Sequence, residues 1–297
     1  MARSGAVITA MVTPFAADGS LDLPAAAELA EWLIDQGNDG LVLAGTTGES
    51  PTLSDDEKLD LWRAVRAAVD VPLIAGSTSN DTAHSVELTR AAAGLGMDGI
   101  LAVTPYYNRP SQAGIEAHFR AIAEASSLPV ILYDIPVRTG RKIATATIVR
   151  LAEDVPTIAG VKDAAGDPAE TARLIAATPD DFELYSGDDA LNLPFLAVGA
   201  VGVISVAAHW TAGLHRELVD AVIKGDMEAA QAVNHQLLPS YGFETSEAAP
   251  NPVPTKAMLR VLGHAVGECR LPMGPTPDGL EAEARELAAD LELLTSR

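Results

Sequence analysis

Cysteine is nearly absent from this sequence: Cys269 is the one cysteine in 297 residues. A single thiol excludes an intramolecular disulfide framework and any Cys-x-x-Cys metal site, and it is compatible with a reducing cytosol. No apolar run approaches the roughly 20 residues that a membrane span needs, and the first residues lack a signal-peptide core. The sequence therefore predicts a soluble, cytoplasmic protein.

Basic residues and convergent metal ligands are also scarce. Lysine and arginine together number 20 against 41 acidic residues, which gives a formal net charge of −21. Such a charge disfavours nucleic acid and anionic membranes as partners. The six histidines fall mostly in predicted helices. Because divalent ions need convergent ligands, no metal site is expected.

Eight short apolar runs recur along the first two thirds of the chain. From the second run onward, successive starts are 19 to 31 residues apart, close to the length of a strand, a helix and two loops. Between the runs lie helical patterns, one of which opens with a capping box at Ser54 and Glu57. This alternation predicts an α/β fold, a (β/α)8 TIM barrel, over residues 1–223. Residues 224–297 are predicted to form a C-terminal helical region.

A doubly wound open sheet is the competing architecture. It would require a glycine-rich dinucleotide or phosphate loop after a strand. The sequence contains neither GxGxxG nor GxxxxGK[ST]. The barrel is therefore the favoured fold.

Lysine is so rare that one example stands out. Of the five lysines, Lys162 alone ends a predicted buried strand, IAGVK, whereas the other four fall in predicted helices or polar loops. Lys162 alone is therefore expected to face inward. Desolvation would lower the pKa of its ammonium and leave a free amine able to attack a carbonyl. The plainer alternative is a structural ion pair with Asp163 or Asp188.

Polar loops follow several other predicted strands, at the barrel rim where catalytic residues lie. They are GTTGES (45–50), PYYNRPS (105–111) and YDIPVRTG (133–140). Taken singly, each has a plain interpretation as a tight turn, as exposed aromatics or as a surface arginine. Together with Lys162 on one rim, they supply an amine, hydroxyls and a guanidinium. Those groups predict a metal-free carbonyl enzyme.

The chain resembles the dihydrodipicolinate synthase family, within the pyruvate-dependent Schiff-base aldolases that include N-acetylneuraminate lyase. The resemblance spans nearly the whole chain in family order. It is carried by GTTGES at 45, TPYYNRPSQ at 104, YDIPVRTG at 133, GVKDAAGD at 160, YSGDD at 185, GVISV at 202 and NPVPTK at 251.

The resemblance implies a condensation of pyruvate with aspartate 4-semialdehyde through an imine on a lysine, with no metal or organic cofactor. It implies a homotetramer built from dimers, with Tyr107 reaching a neighbouring subunit's site. The residues implied as catalytic are Lys162 for the imine and Tyr133, Thr46 and Tyr107 for a proton relay. Those implied as substrate-binding are Thr47, Arg138 and the backbone of Gly187 and Ile204.

Two alternatives to the synthase stay open. One is another pyruvate aldolase or dehydratase of the same superfamily, acting on a 2-keto-3-deoxy sugar acid or a sialic acid. Arg138 counts against it, because a second carboxylate needs a cation whereas a polyhydroxylated aldehyde needs hydroxyl partners. The other is a catalytically silent oligomeric paralogue, which the intact set of site residues disfavours.

One region departs from the family pattern. Many relatives are inhibited by lysine at a site that uses a glutamate of the third helix and histidines after GTTGES. Here His84 stands at the glutamate position, and Asp55 and Lys58 stand where histidines would lie. A cationic effector would lose its carboxylate partner. Lysine inhibition is therefore expected to be weak or absent.

Overall fold

A closed barrel of eight parallel strands forms the centre of the protein in a computed structural model that describes residues 4–294. Each strand pairs with its neighbours in chain order, and β1 pairs with β8 through Val7 opposite Val203. The predicted TIM barrel is confirmed. The strands are β1 (Val7–Ala10), β2 (Gly40–Leu43), β3 (Leu73–Ala75), β4 (Gly99–Val103), β5 (Val130–Asp134), β6 (Ile158–Asp163), β7 (Glu183–Ser186) and β8 (Gly202–Ser205).

Helices follow the strands and cover the barrel. The predicted capping box is confirmed: Ser54 Oγ accepts from the Glu57 amide at 3.2 Å, and Glu57 Oε2 accepts from the Ser54 amide at 2.9 Å. The helices are α1 (Leu23–Asp35), α2 (Asp55–Ala68), α3 (Thr82–Gly94), α4 (Gln112–Ala123), α5 (Pro136–Thr139), α6 (Thr145–Asp154), α7 (Pro168–Ala177), α8 (Asn192–Ala197), α9 (Ala208–Ile223), α10 (Met227–Phe243), α11 (Val253–Val261) and α12 (Leu280–Asp290). None of the helices in residues 4–294 is long and apolar enough to cross a membrane.

The barrel interior is packed with apolar and aromatic side chains from alternate strand positions. In this fold the barrel interior is a packed core and the chemistry lies at the rim. The buried members of the interior are Ile8, Ala10, Val42, Ile74, Leu101, Ile131, Tyr133, Ile135, Tyr185 and Ile204. A second buried layer lies between the strands and the surrounding helices.

The C-terminal helices pack on the barrel through α9. Trp210 of α9 donates from its indole nitrogen to Ser240 Oγ of α10 at 3.0 Å, and both lie beside a shared apolar cluster with α11 and α12. Because α9 contacts both the barrel and α10, the division at residues 223 and 224 stays a prediction.

The expectation that Lys162 is the one inward-facing lysine is wrong. Lys256 of α11 is 0% exposed, and Lys58 of α2 is 6% exposed. Lys256 lies 2.8 Å from Glu49 Oε1 and also donates to the Glu268 carbonyl at 3.1 Å. The Lys256 charge is therefore compensated by Glu49. The helical periodicity around Lys256 does not reveal this burial, because the partner lies about 200 residues away in sequence.

Candidate active site

Two adjoining cavities lie at the carboxyl ends of the strands. The lysine pocket, about 430 Å³, is lined by residues that include Lys162, Gly187, Glu244 and Asn251. The tyrosine pocket, about 240 Å³, is lined by residues that include Tyr106. Four residues line both cavities, namely Thr46, Tyr133, Ile135 and Arg138. Six of the eight predicted site residues therefore meet at one place: Thr46, Thr47, Tyr133, Arg138, Lys162 and Gly187.

Lys162 occupies the end of β6 with only 4% of its surface exposed. Burial lowers the pKa of its ammonium to about 8, against the opposing charge of Asp189. Its Nζ lies 4.4 Å from the centroid of the Tyr133 ring. Within residues 4–294, no side chain or carbonyl makes a hydrogen bond or ion pair with this nitrogen. Lys162 is thus a desolvated amino group that no carboxylate of the described residues binds by a hydrogen bond or an ion pair.

The carboxylates that could have paired with Lys162 are engaged elsewhere. Asp163 accepts from the Thr171 hydroxyl at 2.6 Å and from the Ala165 amide at 2.9 Å. Asp188 accepts from the Ala190 amide at 3.2 Å. The structural ion pair offered as the plainer alternative is therefore not formed.

Gly187 makes room for the lysine side chain. A Cβ at this position would lie 2.8 Å from Lys162 Cγ and 2.9 Å from Cε, closer than a real methyl group approaches another carbon. The Gly187 amide donates to the Asp163 carbonyl at 2.8 Å, which fixes the loop after β7 beside β6. The glycine is required here by space.

Tyr133 is the next-to-last residue of β5, lines both cavities and has 5% of its surface exposed. Burial raises the pKa of the phenol to about 12, while the Arg138 charge and the Thr46 hydroxyl act in the opposite direction. At neutral pH the phenol therefore keeps its proton. A hydroxyl of this kind passes protons along hydrogen bonds better than it acts as an independent base.

Asn251 connects the two residues predicted to bind carboxylates. Its side-chain amide nitrogen donates to Thr47 Oγ1 at 2.9 Å, and its backbone carbonyl accepts from Arg138 Nη2 at 3.5 Å. Its side-chain oxygen, Oδ1, accepts from the Thr255 hydroxyl at 3.1 Å. Sequence reasoning missed its role, although it opens the NPVPTK motif. The NPVPTK motif was the available signal for a functional residue here. Its spacing does not indicate contact with the GTTGES loop, about 200 residues earlier in the sequence.

Two predicted site residues lie outside both cavities. Tyr107 is 90% exposed, with a left-handed backbone at φ +71°, and its side chain lines neither pocket. Ile204 is 1% exposed and its side chain belongs to the packed barrel interior, while Val206, two residues further along, lines the lysine pocket. Tyr107 therefore cannot serve the pocket of its own chain in this arrangement.

The region that departs from the family pattern contains a hydrogen-bonding contact between two side chains of this chain. His84 Nε2 lies 2.9 Å from Asp55 Oδ2. Asn80 donates to the Tyr106 carbonyl at 3.2 Å. Burial lowers the pKa of the nearby Lys58. In the described part of the chain, no group of three or more histidine, cysteine, aspartate or glutamate side chains is arranged to hold a metal ion.

Known proteins resemble this chain in sequence and in fold. The model of the Dihydrodipicolinate synthetase family matches residues 3–291. A 4-hydroxy-tetrahydrodipicolinate synthase of Moorella thermoacetica is 49% identical over 95% of this chain and 97% of its own. One of Mycolicibacterium paratuberculosis is 50% identical over 97% of this chain and 95% of its own. A solved structure of the Cyanidioschyzon merolae DHDPS with lysine bound has a TM-score of 0.96 at 42% identity, covering 99% of this chain and 100% of that one.

We expect Gly187→Ala to slow imine formation between Lys162 and pyruvate about tenfold or more. The added methyl displaces the lysine side chain, and small misplacements of a reacting atom have large kinetic effects. The measurement is the rate of borohydride trapping, read by intact mass. Gly213→Ala, whose new Cβ meets nothing within 4 Å, is the matched control. Trapping by Gly187→Ala at the unmodified enzyme's rate would contradict the packing argument.

Proposed function

The chain belongs to the dihydrodipicolinate synthetase family, and we propose that it condenses pyruvate with aspartate 4-semialdehyde, as a 4-hydroxy-tetrahydrodipicolinate synthase. The observation that carries this proposal is the buried, unpaired Lys162. With a pKa of about 8, about a tenth of its side chains are free amines at pH 7. An ordinary lysine would be about one part in three thousand free amine at that pH.

The proposed reaction begins when the Lys162 amine attacks the ketone of pyruvate. Loss of water gives a protonated imine, which withdraws electrons and makes the methyl protons of pyruvate removable near neutral pH. The resulting enamine then attacks the aldehyde of the second substrate. Tyr133 and Thr46, which line the same cavity as Lys162, are proposed to relay protons. The reaction as proposed requires neither a metal nor an organic cofactor.

Substrate carboxylates are proposed to bind at two places. The Thr47 hydroxyl oxygen already accepts a bond from Asn251, so its hydrogen is directed to another acceptor, here the carboxylate of pyruvate. Arg138 lines both cavities, and its planar guanidinium suits bidentate binding of the semialdehyde carboxylate. The backbone of Gly187 and Ile204 stays part of the proposed pyruvate site.

Tyr107 is proposed to complete the proton relay of a neighbouring subunit. Its ring is 90% exposed on a loop at the barrel rim, which supports a role between subunits rather than within one. An exposed tyrosine is also a common contact residue in protein interfaces. The dimer is therefore the proposed minimum for full activity, and a homotetramer of two such dimers is the proposed assembly.

Borohydride trapping tests the imine directly. With pyruvate, reduction is expected to add the mass of pyruvic acid less one oxygen atom, and peptide mapping is expected to place it on Lys162. Because the free amine is the nucleophile, the trapping rate at limiting pyruvate should rise with pH and level off above about 8. Lys162→Arg should remain unmodified, whereas Lys58→Arg, which alters another buried lysine, should still react. Modification of a different lysine would refute the assignment.

Replacing Arg138 by alanine is expected to raise the KM for aspartate semialdehyde about 10- to 100-fold, because a charged hydrogen-bond partner is lost. Pyruvate trapping should change by about twofold at most. It is compared well above pH 8, since the Arg138 charge also lowers the pKa of Lys162. The exposed Arg173→Ala is the control. Equal loss of trapping, or preferential turnover of sugar aldehydes, would reject the assigned role.

Lysine is expected to inhibit the enzyme weakly or not at all. The carboxylate that would bind its ammonium is replaced by His84, and the adjacent Asp55 is already paired with that histidine. The measurement is the initial rate in the coupled assay at increasing lysine, with sodium chloride at matched ionic strength as the control. Strong inhibition below millimolar lysine would refute the prediction.

A further inference from the structure

Glu244 is a carboxyl group that neither the sequence motifs nor the proposed relay uses. It follows α10 in the C-terminal region, and only 9% of its surface is exposed. Its side chain lines the lysine pocket together with Lys162 and Gly187. Its Oε2 is buried, and its carboxyl group is hydrogen-bonded to the neighbouring carboxyl group of Asp189.

A second buried carboxyl group, Asp189, lies beside Glu244 and is saturated with donors. Asp189 Oδ2 accepts from the Ser205 hydroxyl and from the amides of Val206 and Ala207, each at 2.8 Å. Its Oδ1 accepts from Asn192 Nδ2 at 2.9 Å. These donors, and His215 at 3.7 Å, stabilise the ionised form. The pKa of Asp189 is accordingly held well below its usual range.

The charge on Asp189 decides the protonation of its neighbour. Two adjacent carboxyl groups in a dry environment do not both ionise, so the pair retains one proton. Because the donors surround Asp189, that proton belongs to Glu244. Burial and the Asp189 charge together raise the pKa of Glu244 well above its usual range. The lysine pocket is therefore lined by a neutral carboxylic acid and by Lys162, part of which is free amine near neutral pH.

Imine formation has a step that requires an acid. After the amine adds to the ketone, the carbinolamine hydroxyl leaves as water only when it receives a proton. Tyr133 is a poor donor for this step, because burial raises the pKa of its phenol to about 12. A carboxylic acid is intrinsically a stronger acid than a phenol and is therefore the better donor for this transfer.

We propose that Glu244 is the acid that protonates the carbinolamine hydroxyl at Lys162. This inference rests on the proposed function. In the step, the C–O bond breaks as the hydroxyl takes the Glu244 proton and departs as water, and the nitrogen lone pair forms the C=N bond. The products are a positive iminium and a negative Glu244 carboxylate. The proton that the pyruvate methyl group later loses, when the enamine forms, balances the proton that Glu244 gave up.

Other charged groups around the pocket are placed differently. Asp188 also lines the pocket and its pKa is raised by burial, but it is only half-buried and accepts a hydrogen bond from the Ala190 amide at 3.2 Å, which favours the ionised form. Arg138 has no proton to give at any working pH. His215 lies behind Asp189 with 0% of its surface exposed, so it has no access to the substrate. Glu244 is therefore the group that combines a proton held by a neighbouring buried carboxylate with a position in the lining of the lysine pocket.

Glu244→Gln separates proton donation from packing. The amide keeps the shape of the side chain and can still donate a hydrogen bond to Asp189, but it cannot transfer a proton. Enzyme and pyruvate are mixed, quenched with borohydride at increasing times and analysed by intact mass. We expect imine formation to slow about 100-fold, within the range of general acid catalysis, while the melting temperature changes little. Glu247→Gln, an exposed acid on the same loop, should behave as the unmodified enzyme.

The outcomes are distinct. A loss of less than tenfold in Glu244→Gln would overturn the role of Glu244 while leaving the imine on Lys162 intact. Failure of the unmodified enzyme to trap pyruvate would instead overturn the proposed function. If Glu244→Gln does not fold, Glu244→Met preserves the volume and removes both oxygens, so it allows the same rate to be measured. Glu244→Met at the unmodified enzyme's rate would also refute the proposal.

Discussion

The dehydration of Lys162 is the physical constraint on which the active site depends. The strand that carries Lys162 is covered by side chains on one face and by helices on the other, so its ammonium has little contact with solvent. The neighbouring carboxylates of Asp163 and Asp188 accept hydrogen bonds from other donors. Lowering its pKa from 10.5 to about 8 corresponds to roughly 3 kcal/mol of disfavoured charge. The barrel's packed core offsets that cost, and the result is an amine that is nucleophilic near neutral pH.

The C-terminal region is part of this site as well as a support for the barrel. Asn251 donates a hydrogen bond to Thr47, and Glu244 lines the lysine pocket. Lys256 forms an ion pair with Glu49 of the GTTGES loop. Removing one partner of a buried ion pair typically costs about 3–5 kcal/mol. The GTTGES loop is therefore held in place from both directions, by the barrel below it and by helices that follow the barrel in sequence.

Two pairs of buried ionisable side chains near the rim have different roles. Glu49 and Lys256 neutralise one another 2.8 Å apart and serve the fold. Asp189 and Glu244 share a single proton, and we propose that Glu244 donates this proton to the carbinolamine hydroxyl at Lys162. The difference follows from where each pair lies: neither Glu49 nor Lys256 lines the cavity that holds Lys162, whereas Glu244 does.

The sequence by itself determined the barrel and most of the rim, because apolar periodicity and turn residues are local signals. The positions of Lys162, Tyr133 and Arg138 at the rim were predictable for that reason. Only the tertiary structure decided which charges are compensated, because Glu49 meets Lys256, and Asp189 meets Glu244, through closure of the barrel and packing of the C-terminal helices. Such pairings depend on contacts between distant segments, which no local pattern encodes.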